Sequence, residues 1–270
     1  MWRRRWKWVA VRKAKRQGQI WVVADQQGVR GDFKFATTRH WYESGPIVAN
    51  EYVAAALAER LGYPVAALEQ ATVLGPEGEA QSGIVTVEAR AVEIIPWSEA
   101  PQRVQERPEE SLHDVEQLAS LIVFDAWIAN PERAAGHNLI LYRNDPNEKY
   151  DWYLTDHSRA LYGSPRKWKR GSWNSAVWEQ LWLFYRVPQG LLHLQSRLDL
   201  LEPMIDQIER LQESDINNAL NKVPRGALRE RERQFIKRLL LQRQRRLRSI
   251  IHRWLEYQGH KEYGNEVRGS

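Results

Sequence analysis

Apolar residues alternate along the first third of this chain and recur at three- to four-residue spacing along the rest, so the chain must build a sheet first and helices afterwards. Residues 8–12, 20–24 (IWVVA) and 32–37 (DFKFAT) are short β-type runs. The glycines that hairpins need stand between them in KRQGQ and DQQGVRG, which predicts three antiparallel strands. After the breaker Ser44, Gly45, Pro46, the residues Ile47, Val48, Val53, Ala54, Leu57, Ala58 and Leu61 follow helical spacing, and Gly62 and Pro64 stop the helix. Strand-like stretches at 65–74 and 83–95, joined by GPEGEAQSG, complete the order β-β-β-α-β-β.

The next stretch, 97–111, contains SEAPQRVQERPEES, rich in Pro and charge, and predicts a linker between two lobes. Beyond it, 112–129 is an apolar-periodic helix with Ser111 as its N-cap, stopped at Asn130 and Pro131. Short strands at 139–143 and 151–155 surround NDPNEK, and helices are expected at 174–187, 195–211 and 226–257. The expected class is α+β: a small antiparallel β lobe with one helix (1–97), followed by a mainly helical lobe (98–270). With 43% hydrophobic residues in 270, there is enough apolar material for a sizeable core.

Several chemistries are excluded. The chain has no Cys, hence no disulfide framework, thiolate nucleophile or cysteine-bearing zinc site. Its seven His show no paired ligand spacing, and G-x-S-x-G, G-x-G-x-x-G after a strand and the P-loop pattern are all missing. No apolar run is long enough for a membrane span, and the basic start MWRRRWKWVAV lacks the apolar region of a secretory signal, so a cytoplasmic protein is expected. A net charge of +6 favours anionic partners without naming them.

What remains is a set of polar residues at the ends of regular elements, in an order that suits phosphoryl transfer, a reaction needing a cation on the phosphates, Mg²⁺ ligands and a carboxylate near the acceptor hydroxyl. Lys34 stands between Phe33 and Phe35, so if both rings face a core the lysine faces the other side of the sheet. Glu51 opens the following helix within reach of a strand lysine. In FDAWIANPERAAGHNLILY, Asn130, Glu132, Arg133 and Asn138 crowd the loop between a helix and a strand, and Asp156 ends the next strand in WYLTDHSRALYG. Taken singly, each has an ordinary alternative: a solvated strand lysine, a first-turn Glu on a helix dipole, a helix stop, an Asx-turn, a turn opener.

Together these motifs resemble those of the HipA-like kinases, an atypical branch of the protein-kinase-like fold sharing motifs with phosphatidylinositol kinases. NPER, HNLIL and LTDHS stand where that family has its N-x-D-R loop, the following Asn with its strand, and its I-D-H-G-like turn. VANEYVAAALAERLGYPV resembles its Asn-Glu helix and FKF its strand lysine, so the resemblance covers roughly residues 20–162. It implies an enzyme that binds ATP and Mg²⁺ and transfers the γ-phosphate to a hydroxyl, with Ser or Thr of a protein as acceptor by the HipA-like pattern and a lipid by the other. It further implies that Lys34 contacts the phosphates and pairs with Glu51, that Asn138 and Asp156 hold the metal, that Glu132 occupies the place of the catalytic Asp, and that Arg133 braces the loop or a phosphate. Residues 92–96, with Glu93 and Ile95, would bind adenine through backbone groups, and Gly18, within 17–19, would form the turn over the phosphates.

Three departures accompany the resemblance. Glu132 replaces Asp, and its extra methylene moves the carboxylate by about 1 Å, a displacement that can cost on the order of 100-fold in rate. Six positions rather than five separate Glu132 from Asn138, and Ser158 replaces the usual Gly. These leave open a pseudokinase or nucleotide-binding regulator. A rival class rests on basic segments: Arg225 and Arg253 bound a stretch with eleven Arg or Lys against two Glu, which suits nucleic acid or an acidic partner, or else a solvated helix face. The N-terminal Trp and Arg residues 2–8 allow base stacking, a membrane surface or a guarded edge strand. Arg166, Lys167, Lys169 and Arg170 are expected to receive an acidic substrate or a phosphorylated Ser164 or Ser172.

Overall fold

The computed structural model describes residues 4–14, 18–161 and 186–266. Residue 17, residues 2 and 3, the basic patch of Arg166 to Arg170 with Ser164 and Ser172, and 174–185 of the expected helix lie outside the described residues. The architecture is α+β: an antiparallel sheet with its helices comes first, and a mainly helical part follows, as the periodicity predicts.

Strands β1 (Lys7–Ala14), β2 (Gly18–Ala24), β3 (Arg30–Phe35), β4 (Leu68–Leu74) and β5 (Ala80–Val87) form a five-stranded antiparallel sheet in the order β1-β2-β3-β5-β4. The sheet curls until its edges approach, with Trp6 Nε1 donating to Glu69 Oε2 at 3.1 Å. Alternation then fills the concave side with Trp21, Val23, Phe33, Val73 and Val85, where the Trp21 ring lies tilted against Phe33 and Phe35. Lys34 and its cross-strand neighbour Ile84 therefore point to the other face, where Ile84 meets Ile47 and Val48.

Two helices follow β3. Helix α1 (Thr38–Ser44) is capped by the Thr37 hydroxyl, which accepts from His40 N. It lies in a segment for which the sequence predicted only the breaker after it. Helix α2 (Ile47–Arg60) is apolar nearly all round and rich in Ala, which lets it lie buried between the sheet and the helical layer. Its far end is fastened by Arg60 to Asp215 at 2.9 Å.

The expected strand 83–95 is two strands. It breaks after Val87, and β6 (Glu93–Pro96) joins a second antiparallel sheet with β7 (Leu139–Arg143) and β8 (Asp151–Leu154). Nor is 97–111 an open linker. It folds into a 3-10 turn (Trp97–Glu99) and the short helices α3 (Gln102–Glu106) and α4 (Pro108–Ser111), whose few apolar residues Trp97, Ala100, Val104 and Pro108 all face inward. The helix expected from 112 starts later, as α5 (Val115–Ala119) and α6 (Leu121–Trp127), because Leu112 is extended and pairs with Tyr150. The expected 195–211 helix is split into Leu192–Gln195 and Leu198–Glu209, and 226–257 into Glu230–Gln244 and Leu247–Glu266; Glu213–Asn221 is a further helix. The core of the helical part gathers Trp127, Leu240, Ile251 and Trp254, and Trp127 Nε1 donates to Leu240 O at 3.1 Å. No helix among the described residues is long and apolar enough to cross a membrane.

Candidate functional site

Between the sheet and the second part of the chain lies a cleft of about 940 Å³, within the size range of small-ligand sites. At its back Lys34 Nζ sits 2.6 Å from Glu51 Oε1 and 2.7 Å from Asp156 Oδ1. Strand alternation turns the lysine out of the aromatic core, α2 presents Glu51 from its second turn, and Asp156 follows the end of β8 with φ of 53°. That left-handed backbone is a strained conformation for a non-glycine residue, of the kind that collects at functional sites. Glu51 Oε2 accepts from His157 N at 2.8 Å, so this one carboxylate ties β3, α2 and the turn after β8 together. Asn50 adds a second tie, donating to Ser44 O and Ser158 O.

The electrostatics follow from burial. Lys34 and Glu51 are almost wholly buried, whereas Asp156 keeps 27% of its side-chain surface open. Burial works against the charged lysine, but Asp156 and Glu51 overcome it and hold Lys34 above its ordinary value. Burial also opposes ionisation of Asp156, yet Lys34 and the Ser158 hydroxyl, 2.7 Å from Oδ1, hold it well below the usual carboxylate range. Desolvation pushes Glu51 upward against the pull of Lys34. Two carboxylates around one ammonium leave the cluster short of positive charge.

The loop from Asn130 to Asn138 is organised by Asp125, a lone acid in the apolar helix α6. It accepts from Asn130 Nδ2 at 2.8 Å and from Arg133 Nε at 2.9 Å. Arg133 is 3% exposed; its Nη1 donates to Asn138 O at 2.6 Å and its Nη2 lies 3.3 Å from His157 Nε2. Of the two roles expected for Arg133, bracing the loop is the one this geometry supports. A guanidinium facing Nε2 requires that nitrogen to accept, so the imidazole is neutral with its proton on Nδ1. Burial first, and Arg133 second, hold His157 well below its ordinary value.

Asn138 and Glu132 line the cleft with Lys34 and Asp156. The Asn138 amide nitrogen donates to Asp156 O at 3.3 Å, which leaves its oxygen as the acceptor end. Glu132 Oε1 forms an ion pair with Arg159, a residue the sequence reading did not single out. Ile94, Ile95 and Pro96 also line the cleft, and β6 is an edge strand, so among the described residues the side of its backbone away from β7 has no strand partner. The Glu93 side chain is committed elsewhere, to Arg143 Nε at 2.6 Å and the Tyr150 hydroxyl at 2.9 Å. Gly18 opens β2 opposite Ala14.

Two buried polar atoms on the cleft wall, Thr86 Oγ1 and Arg159 Nε, have no hydrogen-bond partner among the described residues. Among the described residues no group of three or more His, Asp or Glu could hold a metal alone. Asp156 with Asn138 fits Mg²⁺, which characteristically takes one or two carboxylates and completes its shell with phosphate oxygens and water.

Of the basic residues from Arg225 to Arg253 only Arg243 is buried, while Arg225, Arg229, Arg231, Arg238, Arg245, Arg246 and Arg253 are exposed. Arg243 is buried and donates to Ala126 O at 2.8 Å, Lys237 pairs with Glu213 at 2.6 Å, and Arg248 pairs with Glu202, with Asp206 at 2.6 Å and with Glu209 at 3.1 Å. Arg233 reaches Asn221, and Arg229 lies over the Trp41 ring.

No family model matches the chain and no curated protein sequence matches it. Among solved structures it is similar to the proinflammatory kinase CtkA of Helicobacter pylori, with 15% identity over 92% of this chain and 96% of that one and a TM-score of 0.45. It is also similar to the Golgi casein kinase, with 11% identity over 94% of this chain and 74% of that one and a TM-score of 0.47. The form of that kinase with Mn and ADP bound gives 11%, 93%, 72% and 0.43.

Proposed function

We propose that this chain is a HipA-like, ATP- and magnesium-dependent phosphotransferase that moves the γ-phosphate to a hydroxyl, with Ser or Thr of a protein as the acceptor. The observation that carries the reading is the convergence of Lys34, Glu51 and Asp156 within 2.7 Å contacts at the back of a cleft also lined by Asn138 and Glu132. In the sequence these five are spread over more than a hundred positions, and a purely structural ion pair would not need the cleft.

Lys34, held by Glu51, would bind phosphate oxygens, and Asp156 with the Asn138 amide oxygen would hold the cation. When bound, Mg²⁺ offsets phosphate charge and fixes the leaving group. That charge is needed here, because the cluster of one lysine and two carboxylates would otherwise repel a triphosphate. Glu132 would take the acceptor hydroxyl proton as the new phosphorus–oxygen bond forms and the bond to ADP breaks. Arg133 keeps the loop in register through Asp125 and Asn138. The adenine end would rest on Ile94, Ile95 and the open edge of β6.

A second reading, a nucleotide-binding regulator with little turnover, is favoured by one contact: the Glu132 carboxylate is already held by Arg159. Phosphate transfer from γ-labelled ATP, to the chain itself or to a general acceptor such as casein, separates the two. Glu132→Gln lowers a real transfer rate by roughly 100-fold or more. Transfer unaffected by that change removes Glu132 from the chemistry, and ATP binding without transfer favours the regulator.

A further inference from the structure

Arg159 is a cleft-lining cation with a buried, unpartnered donor among the described residues. Its backbone is fixed, since Ala160 N donates to His157 O at 3.0 Å and Leu161 N to Ile128 O at 2.7 Å. Among the described residues its side chain is paired through Nη1 with Glu132 Oε1. The Nε atom is buried with no partner among the described residues. An arginine carries five N–H donors in a planar fork that matches phosphate oxygens two at a time. Lys34, by contrast, is already engaged by two carboxylates. Three residues beyond Asp156 the chain therefore keeps a cation with a buried, unpartnered donor among the described residues, whose ion pair is with the carboxylate proposed to accept the substrate proton.

We propose that Arg159 reads the terminal phosphate of the nucleotide, and that its pair with Glu132 is the resting state which that phosphate breaks. This deepens the phosphotransferase reading and rests on it. The terminal phosphate draws the guanidinium away and frees the Glu132 oxygen for an acceptor hydroxyl only when a transferable group is present. A diphosphate leaves the pair closed. Glu132 and the phosphate compete for the same guanidinium, so removing the glutamate strengthens phosphate binding rather than weakening it.

The test is calorimetric titration of the full chain with Mg²⁺–ATP and Mg²⁺–ADP. The wild type binds ATP more tightly than ADP. Arg159→Gln weakens ATP by roughly tenfold to a hundredfold, the range for a lost hydrogen bond to a charged group, and leaves ADP within about twofold. Arg159→Lys restores part of the ATP preference, which a merely structural arginine would not give. Glu132→Gln, which keeps Arg159, tightens ATP several-fold, on the order of one released ion pair, and does not change ADP. Equal losses for ATP and ADP in Arg159→Gln, or an unchanged ATP affinity in Glu132→Gln, overturn the proposal while leaving nucleotide binding intact. Absence of binding of either nucleotide by the wild type overturns both this proposal and the function on which it rests.

Discussion

Replacing Lys34 by Met keeps the length and apolar stem of the side chain and removes only its charge, leaving Glu51 and Asp156 facing each other. Removing one partner of a buried ion pair costs about 3–5 kcal/mol, because the charge left behind is desolvated and unpaired. Glu51, at 2% exposure, bears that cost fully, while Asp156, at 27%, recovers some hydration, so the expected loss at pH 7.5 lies toward the lower end, about 3 kcal/mol. The pH dependence is more diagnostic than the size. Burial already pushes Glu51 above its ordinary value against the pull of Lys34, and without the lysine the push is unopposed. A carboxyl whose folded pKa exceeds its unfolded value stabilises the fold at low pH and loses that contribution as pH rises through the folded pKa. The deficit of Lys34→Met relative to wild type therefore narrows between pH 7.5 and pH 5. Urea denaturation at both pH values, with the slope checked for constancy, measures this directly. A deficit below about 1 kcal/mol at pH 7.5, or one equal at both pH values, would refute the reasoning.

Two further perturbations probe the loop and the turn beside this cluster. His157 is neutral and held well below its ordinary value, so in chelator-containing buffer wild-type stability is complete above the unfolded histidine pKa of about 6.5 and declines as pH falls below it. This single site contributes up to about 1.4 kcal/mol per pH unit, and a His157→Gln chain loses that part of the slope. Gly136 has φ of 68°, and a Cβ there would lie 3.0 Å from Trp97 Cδ1 and 3.1 Å from Ser98 N. Gly136→Ala accordingly costs about 1–2 kcal/mol in thermal or urea unfolding, and a neutral result would show that the loop relaxes freely.

The polar cluster was more legible in the sequence than the path of the chain around it. Lys34 could be placed because alternation is a two-state signal: with Phe33 and Phe35 inside, the residue between them has only one other face. Glu51 and Asp156 followed from their places at element ends. Two residues that brace them, Asp125 and Arg159, were not found, because neither belongs to a motif and each is recognised only by the partners the fold brings to it, Asn130 and Arg133 for the first and Glu132 for the second. Only Asp125 left a trace, as the single charge in LIVFDAW. The misread segments have local causes. Residues 97–111 looked like a linker since four inward residues among many charges suffice for helices of a turn or so, and Pro108 reads as a breaker although it starts α4. The run from 83 to 95 kept its β character across a change of sheet, which composition does not mark. The long C-terminal helix is interrupted at Arg245 and Arg246 with neither Gly nor Pro to announce it, and its apolar stripe continues on both sides.

The most direct test of the central claim is a titration of the wild-type chain with ATP at millimolar Mg²⁺, repeated with Asp156→Ala and in excess chelator. The account predicts saturable one-to-one binding that raises the melting temperature and is lost in both controls. Binding that persists unchanged in Asp156→Ala and without the metal, or no binding by the wild type at millimolar ATP, would contradict it.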